Sequence, residues 1–442
     1  MSGACHGEVQ YSTPTDIPHG WGVVPLGDLL IKLMDFRGRT PKKLGMDWGD
    51  GDIPALSANN VRMGFIDFQR ECYLGSESLY KSWMVRGDVQ RHDLVFTMEA
   101  PLGNVAVIPD DRKYILSQRV ILLRPNSRVS FRYLFQYLRS ECFRAILDVN
   151  STGTTAKGIQ QKRLVQLPVT VPPLHEQEKI AAILTVVDDK LDLIARQIAA
   201  TQTLKQGLMQ TLFNRGIGTL DSVFRWVPHT EFKDSEVGGI PGIWAVKSIG
   251  EVLDVVERPI KMTDDHLYRR VTVRRRHGGV ELRDELPGSG IKVKNQFLLK
   301  TGDFLISERQ IVHGACGIVP EKLAGALVSN EYLVLKPKDD FDVTYFSYLV
   351  QLLKYAKLFL VCSQGVDIEK FLFKPKDWLK KRIPVPPLAE QQRIADILGT
   401  VEEKANALRR KQSEYQALKR GLMQKLLTGE WRVKLDNPAD TV

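Results

Sequence analysis

The sequence predicts an α+β protein: two globular α/β domains related by a pseudo-twofold axis, separated by an antiparallel coiled coil of two long helices. Three observations predict it. Val171-Pro-Pro-Leu-His-Glu-Gln-Glu-Lys-Ile-Ala-Ala-Ile-Leu recurs as Val385-Pro-Pro-Leu-Ala-Glu-Gln-Gln-Arg-Ile-Ala-Asp-Ile-Leu, and about half the positions from Val171 to Leu212 match their partners without a gap. Each copy carries apolar residues at helical spacing over roughly 40 positions. Between the copies, strand-like motifs correspond more faintly. Ile17-Pro18-x-x-Trp21-x-Val23 matches Ile240-Pro241-x-x-Trp244-x-Val246, Asp93-Leu-Val-Phe-Thr matches Asp303-Phe-Leu-Ile-Ser, and Leu123-Arg-Pro matches Leu335-Lys-Pro.

Taken in order, the plan is a tail over 1–16, a first domain over 17–171 and a helix over 172–215. A second domain follows over 216–385, with a leading linker to about 239, then a helix over 386–429 and a tail over 430–442. At 442 residues the chain fits two to four domains of ordinary size. Hydrophobic residues at 43% and charged residues at 26% exclude collagen-like and mostly disordered chains. No apolar run is long enough to span a bilayer, and Met1–Tyr11 lacks the apolar stretch of a secretory signal. The five cysteines, Cys5, Cys72, Cys142, Cys316 and Cys362, are widely spaced with no C-x-x-C, which argues against a disulfide framework or a cysteine zinc site and for a cytoplasmic chain.

Both helices mark their own ends. Pro172-Pro173 and Pro386-Pro387 precede them, where a missing N–H costs nothing. Glu176, Glu178 and Glu390 fall in first turns, where negative charge suits the helix dipole, and Gly216 and Gly429 are placed as C-terminal stops. Ile180, Leu184, Val187, Leu191, Ile194 and Ile198 alternate at four and three residues, and Leu204, Leu208 and Leu212 resume after a phase shift. The second copy runs Ile394, Leu398, Val401, Ala405, Leu408, Tyr415, Leu418, Leu422 and Leu426. A narrow seam near a 3.5-residue period is a coiled-coil stripe. A helix of about 38 residues, roughly 57 Å long at 1.5 Å per residue, cannot satisfy that stripe on one small domain. The simplest partner for each long helix is the other, packed antiparallel; the alternatives are a parallel pair, or two unrelated helices each on its own domain. Gly207 and Gly421 sit inside the helices at a cost of about 1 kcal/mol each, so a close backbone approach, to the facing helix or to a partner, is expected there. Trp21 and Trp244 are expected in the core.

Catalytic signatures are missing. There is no phosphate-binding G-x-x-x-x-G-K-[ST], no H-E-x-x-H and no G-x-S-x-G, and Gly288-Ser-Gly290 lacks a third glycine at dinucleotide-fold spacing. The eight histidines are scattered, and Asp367-x-Glu369-Lys370 is too common a combination to mark a nuclease. The chain therefore reads as a binding and organising subunit, not catalytic alone, with no catalytic and no metal residues to assign.

Lys plus Arg, at 62, exceed Asp plus Glu, at 52, for a net charge of +10, which permits nucleic acid as a partner without demanding it. The basic residues gather in turn-rich stretches. The first domain offers Arg37, Arg39, Lys42 and Lys43, then Asn59, Asn60 and Arg62, with Lys157 before the first helix. The second offers Arg269, Arg270, Arg274, Arg275 and Arg276 ahead of Gly278-Gly279. Arginine presents a fork suited to guanine and to phosphate, and asparagine pairs with adenine, so these are the candidate DNA-binding residues; the bland alternative for each is a solvated loop. The candidates for the helix seam and partner docking are Ile180, Leu184, Val187, Leu191, Ile194, Leu208, Ile394, Leu398, Val401, Leu408 and Leu422.

With the duplication in hand, the chain resembles the specificity subunits of type I restriction–modification systems. The resemblance rests on Val-Pro-Pro-Leu-x-Glu-Gln-x-x-Ile twice and Leu-Lys-x-Gly-Leu-Met-Gln-x-Leu twice, with Gly38-x-Thr40-Pro41, Ile53-Pro-x-Leu-Ser and Gly302-Asp303-Phe-Leu-Ile-Ser307 in the domains. It implies two target-recognition domains, each reading one half of a split sequence in double-stranded DNA, and helices that fix the gap and dock two methyltransferase subunits. It further implies two motor–nuclease restriction subunits. S-adenosylmethionine, ATP and magnesium would serve those partners, with no cofactor in this chain and no membrane contact. The alternatives are a methylation-only system, or an adaptor that binds protein and not DNA. The second domain has Ser363-Gln-Gly365-Val-Asp where the first has Ser151-Thr-Gly153-Thr-Thr, so contacts do not carry over between domains there.

Overall fold

A computed structural model describes residues 17–154, 156–365 and 371–434, so Asp367, Glu369 and Lys370 lie outside the described residues. The chain divides into two compact units, residues 1–195 with 410–442 and residues 196–409. The boundary falls inside both long helices. Each unit thus holds one globular domain, the opening half of the helix that follows that domain, and the closing half of the other helix.

In the first unit, strands Leu30–Asp35, Val120–Pro125, Leu94–Thr97 and Val105–Val107 form a four-stranded antiparallel sheet in that order. Side chains alternate across a strand, and here both faces are covered. Leu94, Phe96, Ile121 and Leu123 pack with Tyr133, Leu134 and Phe143 of helices Phe131–Leu138 and Glu141–Val149. Val95, Val120 and Leu122 pack with Ile53, Leu56 and Trp83 on the other side. That two-sided burial is why these strands read as unbroken apolar runs. A smaller sheet joins Leu74–Gly75, Ile53–Leu56 and Ile115–Leu116, the last pair parallel. The opening strand Gly22–Pro25 pairs with Pro168–Val171, which leads directly into the first long helix.

The second unit repeats the scheme. Leu253–Val255, Tyr332–Pro337, Phe304–Ser307 and Cys316–Ile318 make its four-stranded sheet in the same order, and Ala245–Ser248 pairs with Arg382–Val385 ahead of the second long helix. Its other sheet is larger: Val280–Pro287, Leu267–Val273, Leu327–Ser329 and Gln296–Leu298, again with one parallel pair. The domains share a scaffold and differ in the sheet that carries their polar hairpins.

The long helices run Leu174–Arg215 and Leu388–Leu427, 42 and 40 residues. Both glycine stops are left-handed, Gly216 at φ +67° and Gly429 at φ +79°. Both are also tightly enclosed: a Cβ would stand 2.3 Å from Glu390 Oε1 at Gly216 and 2.4 Å from the Pro18 ring at Gly429. Gly207 and Gly421 contradict the expectation of close approach to the facing helix. Both are exposed, and a Cβ at either would meet nothing within 4 Å.

Within each unit the two helix halves lie antiparallel. In the first, Glu176 meets Arg432 and Asp188 meets Lys419; in the second, Lys205 meets Glu402 and Glu390 meets the backbone N–H of Ile217. Ile180 and Leu184 share a core with Met423, Leu426 and Leu427, and Leu422 packs against it. Ile394 and Leu398 share one with Met209, Leu212 and Phe213, joined by Leu208. Val187 and Ile194 are buried, whereas Leu191, Val401 and Leu408 are half-buried. Leu204 and Leu418 depart from the expected stripe, at 53% and 50% exposure. Steps of four residues turn the face by about 40° each, so Leu204 lies about 80° from Leu212, and the methionines Met209 and Met423 take the inward place. Among the described residues no helix is long and apolar enough to cross a membrane.

Candidate nucleic-acid interface and helix junctions

Two kinds of polar site stand out: the junctions that fix each domain to its helix, and the basic hairpins of the domains. At the first junction Glu176 is buried at 2% exposure, accepting from Trp21 Nε1 at 3.0 Å and Arg432 Nε at 3.1 Å. Gln177, fully buried, accepts from the Ser130 backbone N–H at 2.8 Å and donates to the carbonyls of Arg128 and Pro172. The Tyr133 hydroxyl donates to the Thr170 carbonyl at 2.8 Å.

The second junction repeats this almost atom for atom. Glu390 accepts from Trp244 Nε1 at 2.8 Å, and Gln391 accepts from Asp342 N–H while donating to the carbonyls of Asp340 and Pro386. Tyr345 donates to the Pro384 carbonyl. Only the remaining partners of the glutamate differ. Where Glu176 has Arg432, Glu390 has the backbone N–H groups of Ile217 and Gly218 at 2.7 and 3.2 Å, and His229 Nε2 at 2.9 Å. A buried carboxylate is tolerated only when its lone pairs are filled, and both are. The helix-dipole role expected for these glutamates from their first-turn position leaves out the indole contacts. The overlooked signal was that Glu176-Gln177 and Glu390-Gln391 are identical between copies while the neighbouring Glu178 becomes Gln392.

A second duplicated contact pins helix to helix. Asp188 accepts from Lys419, from Arg139 at 2.8 Å and from Gln136 at 2.9 Å. Burial alone would raise its pKa, but Arg139, Gln136 and Lys419 more than offset that and hold it below the usual aspartate value. In the other unit Lys205 pairs with Glu402 and lies over the Tyr348 ring.

The basic candidates divide sharply by what already holds them. Arg37 is clamped by Asp35 through Nε at 2.9 Å and Nη2 at 2.6 Å, which raises its pKa. Arg39 donates to the carbonyls of Ser82 and Trp83, closing the helix Glu77–Trp83, and stacks over Phe36. Lys43 reaches the Gly38 carbonyl and Lys157 reaches Asp148. Asn60 is buried, donating to the Glu71 carbonyl and accepting from Ser57; exposed Asn59 donates to the same carbonyl and accepts from Arg70. Exposed Lys42 and half-buried Arg62 have no side-chain partner among the described residues.

In the second domain Arg269 is taken up by the carbonyls of Lys322 and Ala324. Its neighbour Arg270 is forked onto Asp284 at 2.8 and 2.7 Å. The hairpin tip gathers Arg274, paired with Glu281 at 2.5 Å, Arg275, bonded to Gln310 at 2.6 Å, and exposed Arg276. Arg276 and His277 both sit at positive φ, +57° and +55°, held by backbone bonds to the carbonyls of His313 and Gly314. Beside Arg270 lies a concavity of about 400 Å³ that also takes in Arg283, Lys292, Gln296 and Asn330, none of them among the candidates expected from sequence. Asp284 stands directly across from Arg270 in the hairpin centred on the arginine-rich turn, a pairing the sequence offers, whereas Arg283 falls at the register shift and has no cross-strand partner. Among the described residues no group of three or more His, Cys, Asp or Glu could hold a metal ion.

A family model described as the type I restriction modification DNA specificity domain matches residues 18–202 and 241–416. The type I restriction enzyme MjaVIII specificity subunit of Methanocaldococcus jannaschii is 25% identical over 430 residues, covering 95% of this chain and 94% of its own. Among solved structures, the type I restriction–modification S subunit from M. genitalium superposes with a TM-score of 0.56 at 14% identity, covering 96% of this chain and 98% of that one. A chain from a study of complex assembly and conformational transition in the type I system gives a TM-score of 0.51 at 20% identity, covering 95% of this chain and 100% of its own. At these identities the structural matches speak for the fold.

Proposed function

The chain belongs to the family of type I restriction–modification specificity subunits, and we propose that each of its globular domains reads one half of a bipartite target in double-stranded DNA. The observation that carries this reading is the contrast between the copies. The sheet order, the Glu–Gln junctions and the helix–helix pins are duplicated, whereas the hairpins with their arginines are not. One scaffold holding two different polar faces is what an asymmetric split target requires. Lysine and arginine contacts to phosphate supply salt-sensitive affinity, and hairpin side chains supply about 1–3 kcal/mol of discrimination per well-read base pair.

The helices act as the spacer between half-sites and as docking surface for two methyltransferase subunits. Leu204, Gly207 and Gln210 recur as Leu418, Gly421 and Gln424, and all six are exposed. Identity at exposed positions suits a surface that meets the same partner twice. Two restriction subunits complete the assembly. The chain itself carries no cofactor; S-adenosylmethionine, ATP and magnesium belong to the partners, and flipping of the target adenine takes place on the methyltransferase. Inserting four residues after Ile198 tests the spacer role: the gap between half-sites changes while both halves keep their sequence. A change in either half would refute it.

A further inference from the structure

We propose that the concavity beside Arg270 is a guanine-reading site of the second domain, with Arg270 as the reading side chain and Asp284 as the group that positions it. This rests on the reading that the domain recognises half of a DNA target, and adds which side chain reads and which base. Asp284 engages Arg270 through Nε and Nη2, leaving Nη1 without a partner among the described residues. The Arg270 side chain is 20% exposed, and the residue lines the concavity. The two bonds to Asp284 fix the guanidinium plane before anything binds and leave Nη1 to donate elsewhere.

A base reader and a phosphate anchor differ in what they need. A phosphate contact asks for net charge and tolerates a flexible arm; Lys292, exposed and without a partner among the described residues at the rim of the same concavity, fits that role. Arg270 is paired with Asp284, which Arg283 Nε also approaches at 3.5 Å, and its donor directions are fixed by the two bonds to that carboxylate. That makes it a poor anchor and a good match for the adjacent O6 and N7 acceptors that guanine alone presents in the major groove. Arg269 shows the contrast on the same strand: its side chain is consumed by two backbone carbonyls. Buried Gln296 forms part of the concavity wall, and exposed Asn330 adds a neutral donor and acceptor at the edge.

The test uses the chain assembled with its methyltransferase subunits, scored by the methylated motif in cells and by duplex binding in vitro. With the wild type the split motif contains a guanine in the half assigned to the second domain by domain exchange. R270Q relaxes that one position, with a roughly 5- to 150-fold loss of discrimination, and leaves the other half unchanged. D284N, which keeps the arginine but frees it, loosens the same position. R270Q reading the wild-type motif with undiminished stringency overturns the proposal. So does a uniform weakening across all sequences with a smaller salt dependence, which marks a phosphate contact. Should R270Q fail to fold, D284N decides: relaxation at a guanine supports the proposal, and an unaltered motif overturns it. A wild-type assembly with no sequence preference refutes instead the reading of the domain as a DNA reader.

Discussion

Replacing Glu390 by glutamine keeps the shape of the second junction and changes one group from acceptor to donor. Glu390 is 1% exposed; its Oε1 accepts from Ile217 N–H, Gly218 N–H and His229, and its Oε2 accepts from Trp244. A glutamine can offer only one oxygen. Whichever way the amide turns, its NH2 faces either the indole N–H or the two backbone N–H groups. The loss of a charge-assisted hydrogen bond and the stranding of a buried donor each cost about 1–3 kcal/mol. E390Q should therefore destabilise the unit 196–409 by about 3 kcal/mol. For a unit of this size that lowers the melting temperature by roughly 6–12 °C, measurable by calorimetry or by denaturant midpoint. W244F removes the opposing indole donor, so the double variant W244F/E390Q should be less destabilised than the sum of the singles by about 1 kcal/mol or more. E390Q melting within about 0.5 kcal/mol of wild type, or strictly additive singles, would refute the assignment of this carboxylate as the acceptor that fixes domain to helix.

Other outcomes follow from the same contacts. Asp188 is held below the ordinary aspartate pKa in the folded chain, so its contribution is complete above about pH 4 and is lost as pH falls through the depressed folded value. D188N should flatten the acid limb of a denaturant-midpoint curve between pH 2 and 5, and an acid limb as steep as wild type would remove Asp188 as its source. G207A and G421A should each stabilise the isolated chain by up to about 1 kcal/mol, because a Cβ there meets nothing, while weakening co-purification with methyltransferase subunits. Unimpaired assembly would place the docking surface elsewhere. R39A should cost about 1 kcal/mol of stability, through the open end of helix Glu77–Trp83, and leave the recognised motif unaltered in a methylation map.

The sequence disclosed most where periodicity and repetition carry the information. The helix limits at Pro172-Pro173 and Gly216, and at Pro386-Pro387 and Gly429, agree with the structure because caps and stops are local chemistry. Glu176 and Glu390 were harder, because their indole partners lie 155 and 146 residues away in sequence and no local rule points to them. Leu204 and Leu418 went to the wrong face because a 4-4 spacing drifts, and the inward positions fell to methionines not counted in the stripe. The basic loops were the least legible. Arg39 and Arg269 look like DNA contacts in a list of residues but are spent on backbone carbonyls, a distinction that depends wholly on tertiary packing.

On the proposed function, this chain chooses the DNA sequence its assembly modifies. Mapping methyladenine across the genome of cells with and without the chain, with its methyltransferase partner expressed in both, tests this most directly. One split motif should disappear with the chain, and exchanging the second domain should change only one half of it. A methylome unchanged by deletion, with the partner shown to be present, would contradict the proposed function.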